Sequence, residues 1–214
     1  MENSPANFTV LEIFRMGGVV MWPLLFFSIA AVAITVERAI YLAYHGLSVR
    51  GLKEQALAAI RGGDPQAARD LLESRARRNV AARVLLALVS RAGLSERHLE
   101  KAAESEAAKN VSALENGFSL LTTLASLAPL TGFLGTVTGM IAAFRSIAEA
   151  ADVNAQLVAA GIYEALITTV FGLVIAIVAM SAHSIFSNIV DKFTSDLEIA
   201  CSDLIIDICE GRRL

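Results

Sequence analysis

Thr136 and Thr169 each lie inside a long apolar stretch that carries no fixed charge: Phe118 to Phe144 for the first, Ala165 to Val190 for the second. A hydroxyl in such a setting can hydrogen-bond water or a passing ion and so mark a polar pathway. It can also donate to the carbonyl one turn back and be chemically silent. Glu164 stands one residue before the second stretch and is the carboxylate placed to face a lumen between helices. An acid beside a membrane span is functional by default, although one at a helix end that water reaches can also be structural, and both a gating and a structural role stay open. Around these residues Gly132, Gly135, Gly139 and Gly172 recur at spacings that let two helices approach closely, Gly135 and Gly139 as a G-x-x-x-G pair. Pro129 removes one backbone hydrogen bond within the first stretch and frees a carbonyl, which either bends the helix or takes a new partner.

The elements that position these residues follow from composition. The chain has 214 residues and is 55% hydrophobic, with a mean hydropathy of +0.58. The apolar residues gather in three blocks, Met16–Val36, Phe118–Phe144 and Ala165–Val190, each long enough to cross a bilayer as a helix. Arg15 ahead of the first block and Ala31-Val32-Ala33 within it are features of a cleaved leader, but the run is longer than a leader core and Glu37-Arg38 follows at once, so it reads as a retained span. Thirteen of the 18 Lys and Arg lie between Arg38 and Lys109, and three more in the tail at Lys192, Arg212 and Arg213. The positive-inside rule therefore places the 38–115 region and the tail in the cytoplasm, and the N-terminus and the link after the second block outside. Acids are interleaved with these bases, which leaves no nucleic-acid footprint.

The expected organisation is an all-α membrane protein: an external, interfacial segment over 1–15; spans over 16–37, 118–144 and 164–190; a cytoplasmic helical lobe over 38–117; an external link over 145–163; and a cytoplasmic amphipathic helix over 191–214. Within the lobe, Val49, Leu52, Ala56, Leu57 and Ile60 share one helical face. Gly62-Gly63 stops that helix and Asp64-Pro65 starts the next. Val84, Leu85, Leu88 and Val89 mark another helix, Gly93 breaks it, and Ser95 is placed to cap its successor. From Glu96 no breaker is evident, so the second span is expected to be the upper part of one long helix. In the tail, Val190, Phe193, Leu197, Cys201, Leu204 and Ile208 form a stripe that needs a partner, either the lobe or a neighbouring subunit.

Enzyme motifs are absent, and no Cys–His pair has metal-ligand spacing, so neither catalysis nor a cofactor is indicated. Cys201 and Cys209, eight residues apart, would stand ~12 Å apart along a helix, too far to bridge. Arg75, Arg77 and Arg78 form a basic cluster that reads as solvated or lipid-facing. In the second span Thr122, Ala125, Ser126, Pro129, Gly132, Thr136, Gly139 and Ala143 make one small, partly polar stripe; in the third, Gly161, Ala165, Thr168, Gly172, Ala176 and Ala179 make its match. No Asp or Glu lies at mid-depth in any span, so a proton path through this chain would need an acid from another polypeptide. His183, ~28 Å along the helix from Glu164, reads as a polar tip.

LAPLTGFLGTVTGMIAAF followed by VAAGIYEALITTVFGLVIAI resembles the paired signature of the TolQ/ExbB/MotA proton-channel subunits, and GGVVMWPLLFFSIAAVAITVER is similar to the first span of the ExbB and TolQ branch. The resemblance implies a homopentamer in a bacterial inner membrane around single-span helices of the ExbD/TolR/MotB type, which carry the missing mid-membrane Asp. The pore-facing threonines of that family map onto Thr136 and Thr169, its outer-end glutamate onto Glu164 and its second-span proline onto Pro129. The implied function is proton-driven work on the envelope: outer-membrane import, Tol-type maintenance or motility. The competing expectation is a membrane scaffold that stabilises a partner without conducting. Two departures stand out: Val178 replaces the family's frequent third-span proline, and His183-Ser184 its frequent Tyr-Asn.

Overall fold

A computed structural model describes residues 10–149 and 155–211. They form eight helices and, among the described residues, no strand: α1 Val10–Met16, α2 Met21–Tyr44, α3 Arg50–Arg61, α4 Pro65–Ala76, α5 Val80–Val89, α6 Glu96–Glu115, α7 Phe118–Glu149 and α8 Ala155–Gly211. Three stretches, in α2, α6–α7 and α8, are long and apolar enough to cross a membrane. The protein is thus an all-α, multi-pass membrane protein. Its helices divide into two compact units, one made of the described residues of Met1–Val36 and Gly117–Ser184, the other of Glu37–Asn116 and Ile185–Leu214.

In the first unit the apolar block that begins at Met16 is not helical from its first residue. Gly17 and Gly18 turn the chain, Gly18 at φ 65°, and α2 starts at Met21. The left-handed conformation at Gly18 is open to glycine and costly for residues with a Cβ, so composition alone concealed the turn inside an apolar run. Pro23 falls in the first turn of α2, where its missing N–H costs nothing. Trp22 packs edge-on against Phe14 of α1, ring centres 5.4 Å apart. Of the segment expected over 1–15, the described part is α1, which continues to Met16; residues 1–9 lie outside the described residues. The expected link over 145–163 is helical wherever it is described: α7 runs on to Glu149, where Arg145 donates to Glu149 at 2.8 Å, and α8 already begins at Ala155.

The second unit is built as a small helical bundle. Leu52, Ala56 and Leu57 of α3, Leu72 of α4, and Val80, Val84, Leu85, Leu88 and Val89 of α5 supply its core. Gly63, at φ 79°, ends α3; the Asp64 carboxylate then accepts from the Ala67 N–H at 2.9 Å to cap α4 behind Pro65. Asn79 caps α5 in the same way through the Ala82 N–H at 3.1 Å. Ser95 occupies the N-cap position of α6, but its hydroxyl lies 2.7 Å from His98 Nδ1 and makes no bond to the backbone. The expectation of one uninterrupted helix from Glu96 fails at Asn116-Gly117: Gly117 adopts φ 85°, α6 ends, and α7 begins at Phe118. Every member of the tail stripe from Val190 to Ile208 is buried. Its partner is the lobe of the same chain, since Lys53 pairs with Asp203 and Arg61 with Asp207 at 2.7 Å, tying α3 to α8. Arg38 is buried at the start of this unit, paired with Glu37, donating to the Ala113 carbonyl at 3.3 Å and stacked over the Tyr41 ring.

Candidate functional site

The α7–α8 seam brings the small residues of both apolar stretches together. Gly172 meets Ala128, Gly132 meets Thr168 and Thr169, and Gly139 meets Gly161 and Ala165, so numbers rise on α7 as they fall on α8 and the pair is antiparallel. The approach is close enough that backbone touches backbone. A Cβ at Gly172 would stand 2.5 Å from the Ala128 carbonyl oxygen, and one at Gly132 would stand 2.7 Å from that of Thr168. A Cβ at Gly135 would overlap the Thr168 side chain. Glycine is thus required at these positions by contact, because between lipid-facing helices packing replaces the hydrophobic effect as the source of adhesion.

This geometry separates the stripe read along α7 into two rows. Ala125, Gly132, Gly139 and Ala143 are buried in the seam, whereas Thr122 and Ser126 are exposed and Pro129 and Thr136 half-buried. Residues spaced by three and four on a 3.6-residue helix spread over a broad arc, so the edges of one stripe point in different directions. Thr136 is half-buried at the margin of the seam, and its hydroxyl donates to the Phe133 carbonyl at 2.6 Å. Thr169 is also half-buried, but its hydroxyl reaches across to α7 and donates to the Gly132 carbonyl at 3.3 Å. Both hydroxyl oxygens retain lone pairs able to accept from water or from a carboxylic acid. Val178 is exposed, and His183 packs edge-on against Phe118 with ring centres 5.9 Å apart.

Thr168 is the packing residue that spacing did not separate from Thr169. At 1% exposure it is the buried polar residue among the described residues of this unit, and its hydroxyl donates to the Ala165 carbonyl at 2.8 Å within 3.2 Å of the Gly132 carbonyl. It sits on the Ala165–Gly172 row, which is the signal that assigns it to packing. One residue further along, Thr169 is rotated by about 100° to the edge of the seam. Glu164 lies one turn before Thr168 and folds over the Gly17-Gly18 turn: its carboxylate occupies the space that a Cβ on Gly18 would need. A Cβ on the adjacent Gly17 would stand 3.4 Å from the Ile167 side chain. The acid therefore joins α8 to the connection between α1 and α2, a pairing that local sequence could not reveal. Among the described residues no cluster of His, Cys, Asp or Glu could hold a metal ion.

Comparison with known proteins identifies the family. Residues 76–199 match the MotA/TolQ/ExbB proton channel family. The chain is 36% identical over 178 residues to an ExbB-like biopolymer transport protein of Synechocystis, covering 80% of this chain and 68% of that one. It is 30% identical over 196 residues to an ExbB homologue of Methanothermobacter thermautotrophicus, covering 89% and 67%. A shorter match of 38% over 100 residues, 42% of this chain and 44% of the relative, links it to the Tol-Pal system protein TolQ of Haemophilus influenzae. With three membrane-length apolar helices, a glycine-packed α7–α8 seam and this matched region, the chain belongs to the MotA/TolQ/ExbB family of proton-channel subunits, a transport family rather than an enzyme family.

Proposed function

We propose that this chain is the conducting subunit of an inner-membrane motor complex, in which the proton gradient drives an envelope process through an ExbD/TolR-like partner. Several copies, five in the family's pattern, surround the partner's single span. The N-terminus lies outside and the C-terminus in the cytoplasm. The observation that carries the reading is the division of hydroxyls at the α7–α8 seam. Thr168 is consumed in packing, while Thr136 and Thr169 lie at its margin with free lone pairs. In the assembled complex these two margins face the lumen, and their hydroxyls hold water or the protonated partner acid during transfer. Because no acid lies at mid-depth in any span, the partner supplies the group that takes up and releases the proton. Gly132, Gly135, Gly139 and Gly172 keep the wall thin enough for both threonines to share one lumen, and Pro129 leaves a carbonyl on the same helix without its usual N–H donor. Glu164 holds the outer connection against α8 and acts as a gate or brace there.

Proton flux into liposomes containing the chain with its partner tests this reading. Thr136→Val with Thr169→Val should lower flux by about tenfold or more, the consequence of losing ~1.4 kcal/mol of stabilisation along the path. Unchanged flux in a correctly assembled double variant would reject the threonine pathway. Absence of flux from the parent complex, with partner function intact, would identify a scaffold instead.

A further inference from the structure

A cavity of about 650 Å³ opens between α6 and α8 in the second unit. Glu96, Glu100, Glu104 and Glu198 stand around it, over an apolar floor that includes Ala107 and Ile205. None of these four carboxylates has a cationic partner among the described residues. Three of them recur every fourth residue along α6, a spacing at which like charges repel. Elsewhere on the same unit, Arg75, Arg77 and Arg78 crowd the junction of α4 and α5, and none is in an ion pair among the described residues. The lobe therefore carries an unneutralised acidic recess and an unneutralised basic corner.

The two patches are complementary in charge and lie at different places on one body, the corner at the junction of α4 and α5 and the cavity between α6 and α8. Complementary patches at different places on one chain make a head-to-tail contact between copies, which closes into a ring where the rotation from copy to copy allows it.

We propose that in the oligomer the Arg75–Arg77–Arg78 corner of one copy docks into the glutamate-rimmed cavity of the next, forming a cytoplasmic collar of inter-subunit ion pairs. The proposal rests on the oligomeric reading above and adds the surfaces that meet. Arginine suits the role because its planar fork engages a carboxylate through two hydrogen bonds. The collar also gives the tail a second role, since α8 fills the lobe with its buried stripe while presenting Glu198 to the neighbour.

Cross-linking of the full-length chain in membranes tests it. In a background with Cys201→Ala and Cys209→Ala, Arg78→Cys combined with Glu104→Cys should give a ladder of covalent oligomers with a short bis-maleimide, and neither single variant should. As a second arm, Arg75→Glu with Arg77→Glu and Arg78→Glu should shift native mass spectra towards monomer, and adding Glu96→Arg, Glu100→Arg and Glu104→Arg should restore the oligomer. An oligomer that keeps its mass but neither cross-links nor responds to charge reversal would overturn the docking alone, leaving the cavity to a basic segment of another polypeptide. A monomeric parent chain would overturn the oligomeric reading with it.

Discussion

The two units of this chain hold their helices together by opposite means. In the second, Leu57 of α3, Leu85 and Leu88 of α5, and Leu197 and Leu204 of α8 are all buried, with the ion pairs Lys53–Asp203 and Arg61–Asp207 tying α3 to α8. In the first, α7 and α8 meet through glycine, alanine and Thr168, while Leu130, Phe133, Ile141 and Ile177 are exposed on the outside. The difference follows from the surrounding solvent. Water rewards burial of large apolar side chains, so the lobe places them inside. Lipid offers no such reward; although Met21, Leu24 and Leu121 are buried elsewhere in the span unit, its α7–α8 seam relies on close backbone contact and hydroxyl bonds and leaves many large side chains outward. It is this second mode that leaves threonine hydroxyls at a helix margin within an apolar layer.

Exchanging the demands of the two regions should give the largest effects. Leu204→Ala removes a side chain at 1% exposure from the lobe core and should lower stability by about 2–5 kcal/mol, read by denaturant unfolding of the lobe signal in detergent. The same truncation at exposed Ile177 should change little in that assay, and a comparable loss there would show that the outward face is buried. Gly172→Leu should be next in size. Its side chain must separate two backbones, at a cost of about 1–3 kcal/mol, seen as a lower melting temperature of the span unit. An unaffected Gly172→Leu protein would mean the seam is looser than the 2.5 Å approach implies.

A smaller effect distinguishes the regions by chemistry. Burial, with a further contribution from Glu198, pushes the Cys201 thiol up to about 12 from its ordinary value of 9.0. The unfolded chain releases this proton near 9.0 and the folded chain does not, so folding loses stability as pH rises from 9.0 towards 12 and is unaffected below 9.0. At pH 8 iodoacetamide should leave Cys201 unmodified in the folded protein and alkylate it in urea. Modification of the folded protein at that pH would place the thiol at the surface.

How far the chain could be read in advance depended on whether a signal was local. The tail stripe from Val190 to Ile208 was legible because burial repeats with the helix period, and the starts of α4 and α5 because Asp64, Pro65 and Asn79 act within one turn. The breaks at Gly17-Gly18 and Gly117 were not, because an isolated glycine is tolerated within a helix and only the backbone reveals its positive φ. Small residues identified the seam, but they did not separate Thr168 from Thr169. Those neighbours differ by a rotation whose meaning depends on where α7 lies. The contact of Glu164 with Gly18 joins residues far apart in sequence, and no periodicity encodes it.

In this account Thr136 and Thr169 border water while Thr168 is sealed in the seam. Cysteine accessibility in the assembled complex with its partner, in a background lacking Cys201 and Cys209, decides this. Thr136→Cys and Thr169→Cys should react with a charged, membrane-impermeant thiol reagent, and Thr168→Cys and the lipid-facing Ile141→Cys should not. If Thr136→Cys and Thr169→Cys react no faster than Ile141→Cys, the two threonines face lipid or protein, and the pathway proposed for them does not exist.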